Sequence, residues 1–448
     1  MEKFNPITEG NIPITLFKFA VPLMFAMVLQ ALYGAVDLFV IGFYSGKESI
    51  SAIANGAQFM HVVMGLIMGM TVGGTVRIGF CVGEKNPEGT AQSIGTMAVL
   101  FFLISIILTP ILLYLTPSIV SLIRVPAEAV PEASRYIGVC ALGIPFIVGY
   151  NVVSAIYRGL GDSKTPVYFV AIACFLNVIL DFWFVGALKL NAMGAGIATA
   201  ISQGISFFMA IAFMRWKGFD FKISRRHFTL HPPTVAKILT VGTPLALQDS
   251  LISVSFTMIM AIINSMGLTA SASVGVAGRL IGFFMIPPCC FAGAVAAMTS
   301  QNIGAKQLER ANRSLAVGIA FSLCCSCPVW LFCQLFPEAA PGLFTNDASV
   351  LHGAGLYLKS FSIDCVLVSF IFSMSAWFSG CGKSFIPMTY NLLSTFGVRV
   401  PLAWWISLIP GASLFHLGFA APAATFISII FAALFFVAIQ KSLKLDTA

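Results

Sequence analysis

Residues 97–115 read MAVLFFLISIILTPILLYL, a stretch with no charged side chain that is nearly long enough to cross a lipid bilayer. A helix needs about 20 apolar residues to span the hydrocarbon core. The 448-residue chain contains a succession of such stretches, since 58% of its residues are hydrophobic and only 9% are charged, against about a quarter in soluble domains. This composition excludes a soluble enzyme and predicts an all-α polytopic membrane protein.

Twelve membrane spans are predicted from the apolar stretches between polar breaks. They lie near residues 14–42, 49–81, 90–116, 133–157, 165–187, 192–215, 236–265, 268–303, 313–336, 353–379, 385–409 and 414–439. The longest polar connection, around Arg225-Arg226, separates the spans into six and six. We expect an N-terminal six-helix bundle at 1–215, a cytoplasmic linker at 216–235 and a C-terminal six-helix bundle at 236–448. The polar segment before the first span shows no cleavage pattern, so we expect that span to be retained.

The distribution of Lys and Arg predicts the orientation, because cytoplasmic loops hold most of the positive charge. If the amino terminus is inside, sixteen basic residues fall in cytoplasmic segments and five on the opposite side. We therefore expect both termini in the cytoplasm. The net charge of +8 is spread over these short loops, which argues against a nucleic-acid partner.

Short motifs recur at one offset along the chain, as in transporters built from duplicated bundles. Gly159-Leu160-Gly161-Asp162 recurs as Gly380-Cys381-Gly382-Lys383, and Gly83-Glu84-Lys85 recurs as Gly304-Ala305-Lys306, both at an offset of 221 in the numbering. Pro22-Leu23 recurs as Pro244-Leu245 at an offset of 222. Because six spans separate the copies, both halves have the same topology, and their pseudo-two-fold axis should follow the membrane normal.

Four acidic residues lie well inside predicted spans: Asp37, Asp181, Asp249 and Asp364. A carboxylate in the hydrocarbon region is costly unless it faces a cavity, binds a cation or takes up a proton. Asp37 and Asp181 have polar neighbours at helical spacing, which favours a functional role over a structural one.

These polar neighbours come from four predicted spans. They are Gln30 and Tyr33 beside Asp37 on the first span, Asn151 and Ser154 on the fourth, Asn177 beside Asp181 on the fifth, and Thr199 on the sixth. If the faces converge, their oxygens suit a small hard cation or a proton shared by the two carboxylates. We therefore predict a coupling site for H+ or Na+ in the first half, with no other metal and no cofactor.

The second half does not repeat this set. The offset of the repeat places Met258, Val398 and Leu402 where the first half has Asp37, Asn177 and Asp181. Met258 remains a candidate substrate contact, because methionine-rich walls suit a polyspecific apolar cavity.

Asp249 and Asp364 keep two interpretations. Each could contact a cationic substrate, or each could pair with Arg279 or Arg399 in the same half, since an arginine buried in a span also needs a partner. The paired interpretation is slightly favoured.

Three other sequence features are not predicted to form a metal, redox or catalytic site. Cys324 and Cys327 form a C-x-x-C pair without a second pair or a histidine, so no zinc or redox site is expected. The G-x-G-D motif at Asp162 matches intramembrane aspartyl proteases, but it lies in a basic loop and its repeat has Lys383. His61 in the second span is interpreted as a packed neutral side chain rather than a proton relay. We expect no enzymatic activity.

Taken in order, the motifs resemble the multidrug and toxic compound extrusion (MATE) family over essentially the whole chain. The matching features are Pro22 entering the first span, Asp37 within 36–42, the Arg158-Gly159-x-Gly161-Asp162 loop, Asn177-x-x-x-Asp181 and Thr199. The resemblance implies a V-shaped transporter that exports organic, cationic compounds by antiport with H+ or Na+. Asp37, Asn177, Asp181 and Thr199 would then hold the coupling ion.

The resemblance also implies the setting of the protein. We expect a monomer in the cytoplasmic (inner) membrane of a prokaryote, with small organic molecules, the coupling ion and membrane lipids as partners. The family branch resembling NorM has a glutamate eight residues after the seventh-span proline, where this chain has Ile252. The chain therefore looks more like the DinF branch, with coupling in the first half.

Two rival functions stand beside antiport. A flippase for lipid-linked saccharides shares the superfamily fold but should line its cavity with Arg and Lys to hold a pyrophosphate. Arg77, Arg279 and Arg399 are the only basic residues deep in spans, and they are dispersed. A membrane receptor or scaffold would leave the buried acids without a purpose.

Overall fold

The computed structural model describes residues 5–123 and 125–447, without the side chains of Pro6 and of residues 442–447. Lys3 and Arg124, which contribute to the charge count for the orientation, lie outside the described residues. Long α-helices form nearly all of the described chain. They are α1 (Ile12–Tyr44), α2 (Lys47–Gly83), α3 (Pro87–Leu122), α4 (Val130–Gly159), α5 (Lys164–Asp181, continued by the π-helical stretch Phe182–Ala187), α6 (Asn191–Lys217), α7 (Pro232–Ser265), α8 (Leu268–Phe284 and Ile286–Gly304), α9 (Leu308–Leu335), α10 (Ala348–Gly380), α11 (Phe385–Ser394, π-helical Thr395–Arg399 and Val400–Ser407) and α12 (Leu414–Gly418 and Ala420–Thr447).

The helices agree with the predicted all-α polytopic class. Eleven described helices are long and apolar enough to cross a membrane. The twelfth predicted span, 385–409, corresponds to α11, which a π-helical stretch divides into α-helical segments of 10 and 8 residues. Helices suit this sequence because a backbone in lipid must satisfy its own hydrogen bonds.

The internal repeat is visible in the backbone. Gly161 and Gly382, which are equivalent in the repeat, both turn with positive φ angles of 91° and 76°. Lys85 and Lys306, a second equivalent pair, adopt left-handed φ angles of 52° and 58°, which are uncommon for a side chain larger than glycine. Equivalent loops in the two halves therefore share their conformation as well as their sequence.

Packing divides the chain into two compact units. The first unit is Pro22–Gly242, and the second unit joins Met1–Val21 to Thr243–Ala448. The divisions fall beside Pro22 in α1 and Pro244 in α7, where proline removes a helical hydrogen bond. Each unit thus contains the first turns of a helix whose remainder belongs to the other. The six-helix bundles with a linker at 216–235 remain a prediction.

Within the first unit, α2 and the first turns of α7 approach closely at two glycines. A Cβ atom on Gly73 would lie 2.1 Å from the carbonyl oxygen of Ile238. A Cβ atom on Gly242 would lie 2.5 Å from the carbonyl oxygen of Met70. Both contacts are with backbone atoms, so only glycine fits at this crossing.

The segment between α6 and α7 is bound to α3 of the same unit. Gln92 Nε2 donates to the carbonyl oxygen of His227 at 3.3 Å, and Thr96 Oγ1 donates to that of Thr229 at 3.0 Å. Arg226 forms an ion pair with Glu88 at 3.1 Å. The connection is therefore an ordered part of the first unit.

Candidate ion-binding site

Two buried carboxyl groups face each other within the first unit. Asp37 of α1 is 7% exposed, and Asp181 at the end of α5 is fully buried. The two groups lie close enough to interact with each other, although no hydrogen bond joins them. Asn177, one helical turn before Asp181 and also fully buried, lies within reach of Asp37. The fold thus places three of the predicted site residues in one cluster.

Tyr33 and Thr199 extend this cluster. Tyr33 lies one turn before Asp37 on α1, and its hydroxyl group faces Thr199 of α6. The same hydroxyl group is close enough to Asp37 and Asp181 to interact electrostatically with both. All four residues predicted to hold the coupling ion therefore lie in one cluster, with Tyr33 beside them.

Most polar atoms of the cluster are buried without a hydrogen bond inside the protein. They are Tyr33 Oη, Asp37 Oδ1, both terminal atoms of Asn177, both carboxylate oxygens of Asp181, and Thr199 Oγ1. Buried polar groups are almost always paired in proteins. A concentration of unpaired oxygens in one place is typical of a site that receives a proton or a cation.

The charge of the cluster supports this interpretation. The described side chains that interact with Asp37 or Asp181 are each other, Tyr33, Tyr136, Cys140, Cys174 and Asn177, and none of them is basic. Two ionised carboxylates at such close range repel strongly in a medium of low polarity. Either a shared proton or a bound cation would relieve that repulsion.

Tyr136 and Cys140 of α4 belong to the cluster but were not predicted from the sequence. Tyr136 is 5% exposed and Cys140 is 3% exposed; their side chains interact with each other, and both lie near Asp37. They stand four residues apart, so they share one face of the helix. That spacing is the sequence signal they carry, and it does not distinguish them from residues of ordinary helix packing.

Other predicted residues lie apart from the carboxyl pair in the described contacts. Asn151 donates to the carbonyl oxygen of Ile147 at 2.8 Å, and Ser154 interacts with Tyr150. Gln30 is exposed on α1. Met258, on α7 in the second unit, is 43% exposed.

The two acids of the second half differ from each other. Asp364 on α10 is 5% exposed and interacts with Thr425 of α12 and with Arg399 of α11. Asp249 on α7 is exposed, and its carboxylate interacts electrostatically with the thiol group of Cys289. Arg279 is exposed on α8. Arg399 acts on Asp364 only electrostatically, and no ion pair joins either acid to an arginine among the described residues, so the predicted pairing stays a prediction.

A π-helical stretch adjoins the predicted site residue at the end of the fifth helix. α5 changes from α-helical to π-helical directly after Asp181, over Phe182–Ala187. Such stretches are rare and occur frequently at functional sites, because they shift the face on which side chains emerge. The sequence pattern did not predict this change.

Comparison with known proteins identifies relatives along the whole chain. The family model MatE matches twice, at residues 22–183 and 244–405. The matches begin at Pro22 and Pro244, the prolines that the repeat makes equivalent, which confirms the predicted duplication. A probable multidrug resistance protein of Bacillus subtilis, YoeA, is 24% identical over 92% of this chain and 90% of its own length. A probable multidrug resistance protein NorM of Thermotoga maritima is 26% identical over 87% and 84%, respectively.

Solved structures agree with the fold. A multidrug resistance MATE family transporter of the MOP superfamily, described in an outward-facing conformation, superposes with a TM-score of 0.92 at 23% identity. The match covers 99% of this chain and all of that one. A MOP superfamily transporter from Pyrococcus furiosus superposes with a TM-score of 0.90 at 22% identity, over 99% of both chains.

Proposed function

Since this chain belongs to the MatE family, we propose that it is a secondary active transporter that exports small organic compounds in exchange for H+ or Na+. Its relatives are named as multidrug resistance and multidrug export proteins, which supports small organic compounds as substrates; we propose that these compounds are cationic. The setting proposed is the cytoplasmic membrane of a prokaryote, with both termini in the cytoplasm. The transporter needs no cofactor, and it acts as a monomer.

The observation that carries this proposal is the buried carboxyl pair without a basic partner. Asp37 and Asp181 lie close together, and no described basic side chain interacts with either. A cation from solution must neutralise such a pair for it to remain buried at low cost. Because of this requirement, binding of H+ or Na+ stabilises the conformation in which the carboxyl pair is buried.

Coupling then follows from a difference in affinity. The cation enters from outside, binds between Asp37 and Asp181, and stabilises a state in which the substrate binds weakly. The substrate leaves outward, and release of the cation inside restores the original state. Each ligand can shift the equilibrium only by the difference between its affinities for the two states.

The donor set accommodates both candidate ions. A proton would be shared between the two carboxylates, as expected for two acids that interact closely. Na+ would use the carboxylate oxygens with the amide oxygen of Asn177 and the hydroxyl groups of Thr199 and Tyr33, since hard cations prefer several oxygen ligands. Transport under an imposed pH gradient or under an imposed Na+ gradient distinguishes the two ions.

The experiment is transport by purified protein in liposomes. Efflux of a fluorescent organic cation is recorded under an imposed pH gradient or an imposed Na+ gradient, for the wild type and for Asp37→Asn. We expect transport under one gradient and its loss in the variant, with insertion unchanged. Asp347→Asn is the matched control: Asp347 is an exposed N-cap of α10, and asparagine caps a helix equally well.

Each contrary result has a definite meaning. An Asp37→Asn variant that still responds to the gradient would exclude Asp37 from the coupling site. Failure of the folded wild type under both gradients would favour the lipid-linked saccharide flippase. That alternative would be tested by translocation of a fluorescent lipid-linked pyrophosphate in the same liposomes.

A further inference from the structure

The connection between α6 and α7 in the first unit carries an excess of positive charge. Residues 215–237, which we call the connecting segment, contain six lysines and arginines, and Asp220 is their one acidic residue. All six basic residues are exposed: Arg215, Lys217, Lys222, Arg225, Arg226 and Lys237. Neither the fold nor the proposed coupling site accounts for this concentration of exposed cations.

Two of these cations fasten the connecting segment to its own unit. Lys217 forms an ion pair with Asp162 at 3.5 Å, and Arg226 forms one with Glu88 at 3.1 Å. Two backbone carbonyl oxygens of the segment also accept hydrogen bonds from side chains of α3. The segment is thus held in place before any ligand arrives, so that little conformational freedom remains to be lost on binding.

The other four cations are not neutralised within the described part of the protein. Their side chains form no ion pair and no hydrogen bond with a described residue. They are Arg215, Lys222, Arg225 and Lys237. Cations of one sign on a fixed surface raise the local concentration of anions. This charge therefore points to an anionic ligand from outside the chain.

Exposed apolar side chains lie among these cations. Trp216, between Arg215 and Lys217 in the chain, is 83% exposed, and Phe228 and Leu230 are 48% and 45% exposed. Tryptophan is enriched where membrane helices meet water, because its ring is apolar and its N–H group is polar. An exposed indole ring flanked by basic side chains fits the boundary between lipid headgroups and acyl chains.

Both ends of the connecting segment lie at the ends of helices long and apolar enough to cross a membrane. Arg215 and Lys217 belong to the last turn of α6. Lys237 lies in the second turn of α7, directly before the buried side chain of Ile238. The segment therefore begins and ends at the level of the lipid headgroups, where a lipid phosphate group is within reach of its cations.

We propose that the connecting segment is a binding surface for anionic phospholipids, whose phosphate groups neutralise its four unpaired cations. The acyl chains of these lipids lie beside α6, with Trp216 at the boundary. In the proposed orientation the segment meets the cytoplasmic leaflet, whose anionic lipids attract basic segments next to membrane helices. The binding surface is separate from the carboxyl pair and does not depend on which ion drives transport.

Trp216 is a built-in probe for the bound lipid. Brominated lipids quench tryptophan fluorescence on contact, and comparison with Trp216→Phe identifies the share of the signal that comes from Trp216. The protein is placed in phosphatidylcholine vesicles that contain equal fractions of brominated phosphatidylglycerol, which is anionic, or brominated phosphatidylcholine, which has no net charge. We expect the anionic lipid to quench Trp216 more strongly, and this preference should shrink as the ionic strength rises.

Two variants connect the preference to the unpaired cations. Arg215→Gln with Lys222→Gln removes two of them and should lower the preference for the anionic lipid by about tenfold. Lys47→Gln with Lys189→Gln is the matched control. It removes two exposed lysines of the same unit, one at the start of α2 and one before α6, at the opposite end of α6 from the segment. The control should keep the wild-type preference.

Several results overturn the proposal. Equal quenching by the two lipids, or a preference that ignores ionic strength, shows that the cations do not bind anionic lipid; both are measured on the wild type and so need no variant to fold. An unchanged preference in Arg215→Gln with Lys222→Gln, or an equal loss in the control, removes the assignment to the connecting segment. Displacement of the lipid by inorganic phosphate, beyond the effect of chloride at the same ionic strength, shows a site for free phosphate. Quenching requires no transport, so failure of the proposed export leaves this test unchanged.

Discussion

Replacing Asp181 with asparagine should make the protein more stable while it abolishes coupling. Asp181 is fully buried, and neither of its carboxylate oxygens is hydrogen-bonded within the protein. It faces Asp37, and no described basic side chain offsets the two charges. Asparagine has nearly the same shape and carries no charge, so Asp181→Asn removes the repulsion without creating a cavity.

Coulomb's law gives the scale of the effect. Two unit charges about 4 Å apart interact by about 4 kcal/mol at an effective dielectric constant of about 20. A proton shared by the pair at neutral pH cancels part of this repulsion. We therefore expect Asp181→Asn to raise the free energy of unfolding by about 1–3 kcal/mol at neutral pH. The gain should grow as the pH is raised and the shared proton is lost.

The assay is thermal unfolding in detergent at several pH values, for the wild type and two Asp→Asn variants. Wild-type stability should fall as the pH rises, and that of Asp181→Asn should fall less. Asp364→Asn makes the same chemical change at an acid that interacts electrostatically with the buried guanidinium group of Arg399. That variant should be less stable than the wild type, because it removes a negative charge that offsets a buried positive one.

The reasoning is refuted if Asp181→Asn is less stable than the wild type, or if its pH dependence is the same. Either result would mean that the two carboxyl groups do not repel each other in the folded protein. The same sign of effect for Asp181→Asn and Asp364→Asn would show that the two sites do not differ in charge balance.

Two further substitutions test the packing and a helix cap. Gly73→Ala should lower the free energy of unfolding by about 1–3 kcal/mol, because its Cβ would meet the Ile238 backbone. Gly65→Ala, with open space around the Cβ, is the control and should be neutral or stabilising. Equal melting temperatures of the two variants would contradict the close approach at Gly73. The second substitution concerns Asp162, whose side chain caps the start of α5. Partial burial raises the pKa of Asp162, but hydrogen bonds from Thr165 and the start of α5 lower it more, so the pKa lies below its ordinary value. The stability from that ionised cap is present above about pH 4 and is lost as the pH falls further. Asp162→Asn should therefore cost about 0.5–1 kcal/mol at pH 7 and little at pH 3, and a difference that persists at pH 3 would exclude the charge as its cause.

Much of the fold was predictable because a bilayer restricts the backbone to helices. The twelve predicted spans match α1–α12, and the repeated loop motifs correspond to loops of matching conformation at Gly161 and Gly382. The π-helical stretches in α5 and α11 were not predictable. They depend on how neighbouring helices pack, and hydrophobic periodicity does not record that.

The candidate site was predictable in part. Asp37 and Asp181 stood out because acids are rare in apolar spans, and helical spacing pointed to Asn177 and Tyr33. Helical spacing could not show that Asn151 bonds to its own helix, or that Ser154 lies near Tyr150 instead of the carboxyl pair. Nor could it show that Tyr136 and Cys140 join the cluster, because residues of these types are common in ordinary helix packing.

The sequence alone was sufficient for properties that depend on local composition: the membrane helices, their duplication and the rarity of buried acids. Which of those acids meet each other or an arginine depends on contacts between helices far apart in the chain. Asp37 and Asp181 are brought together, while Asp364 is placed beside Arg399. Charge balance at a buried site is a property of three-dimensional neighbours, so only the tertiary structure could separate two acids without a described basic neighbour from an acid that interacts with a guanidinium group.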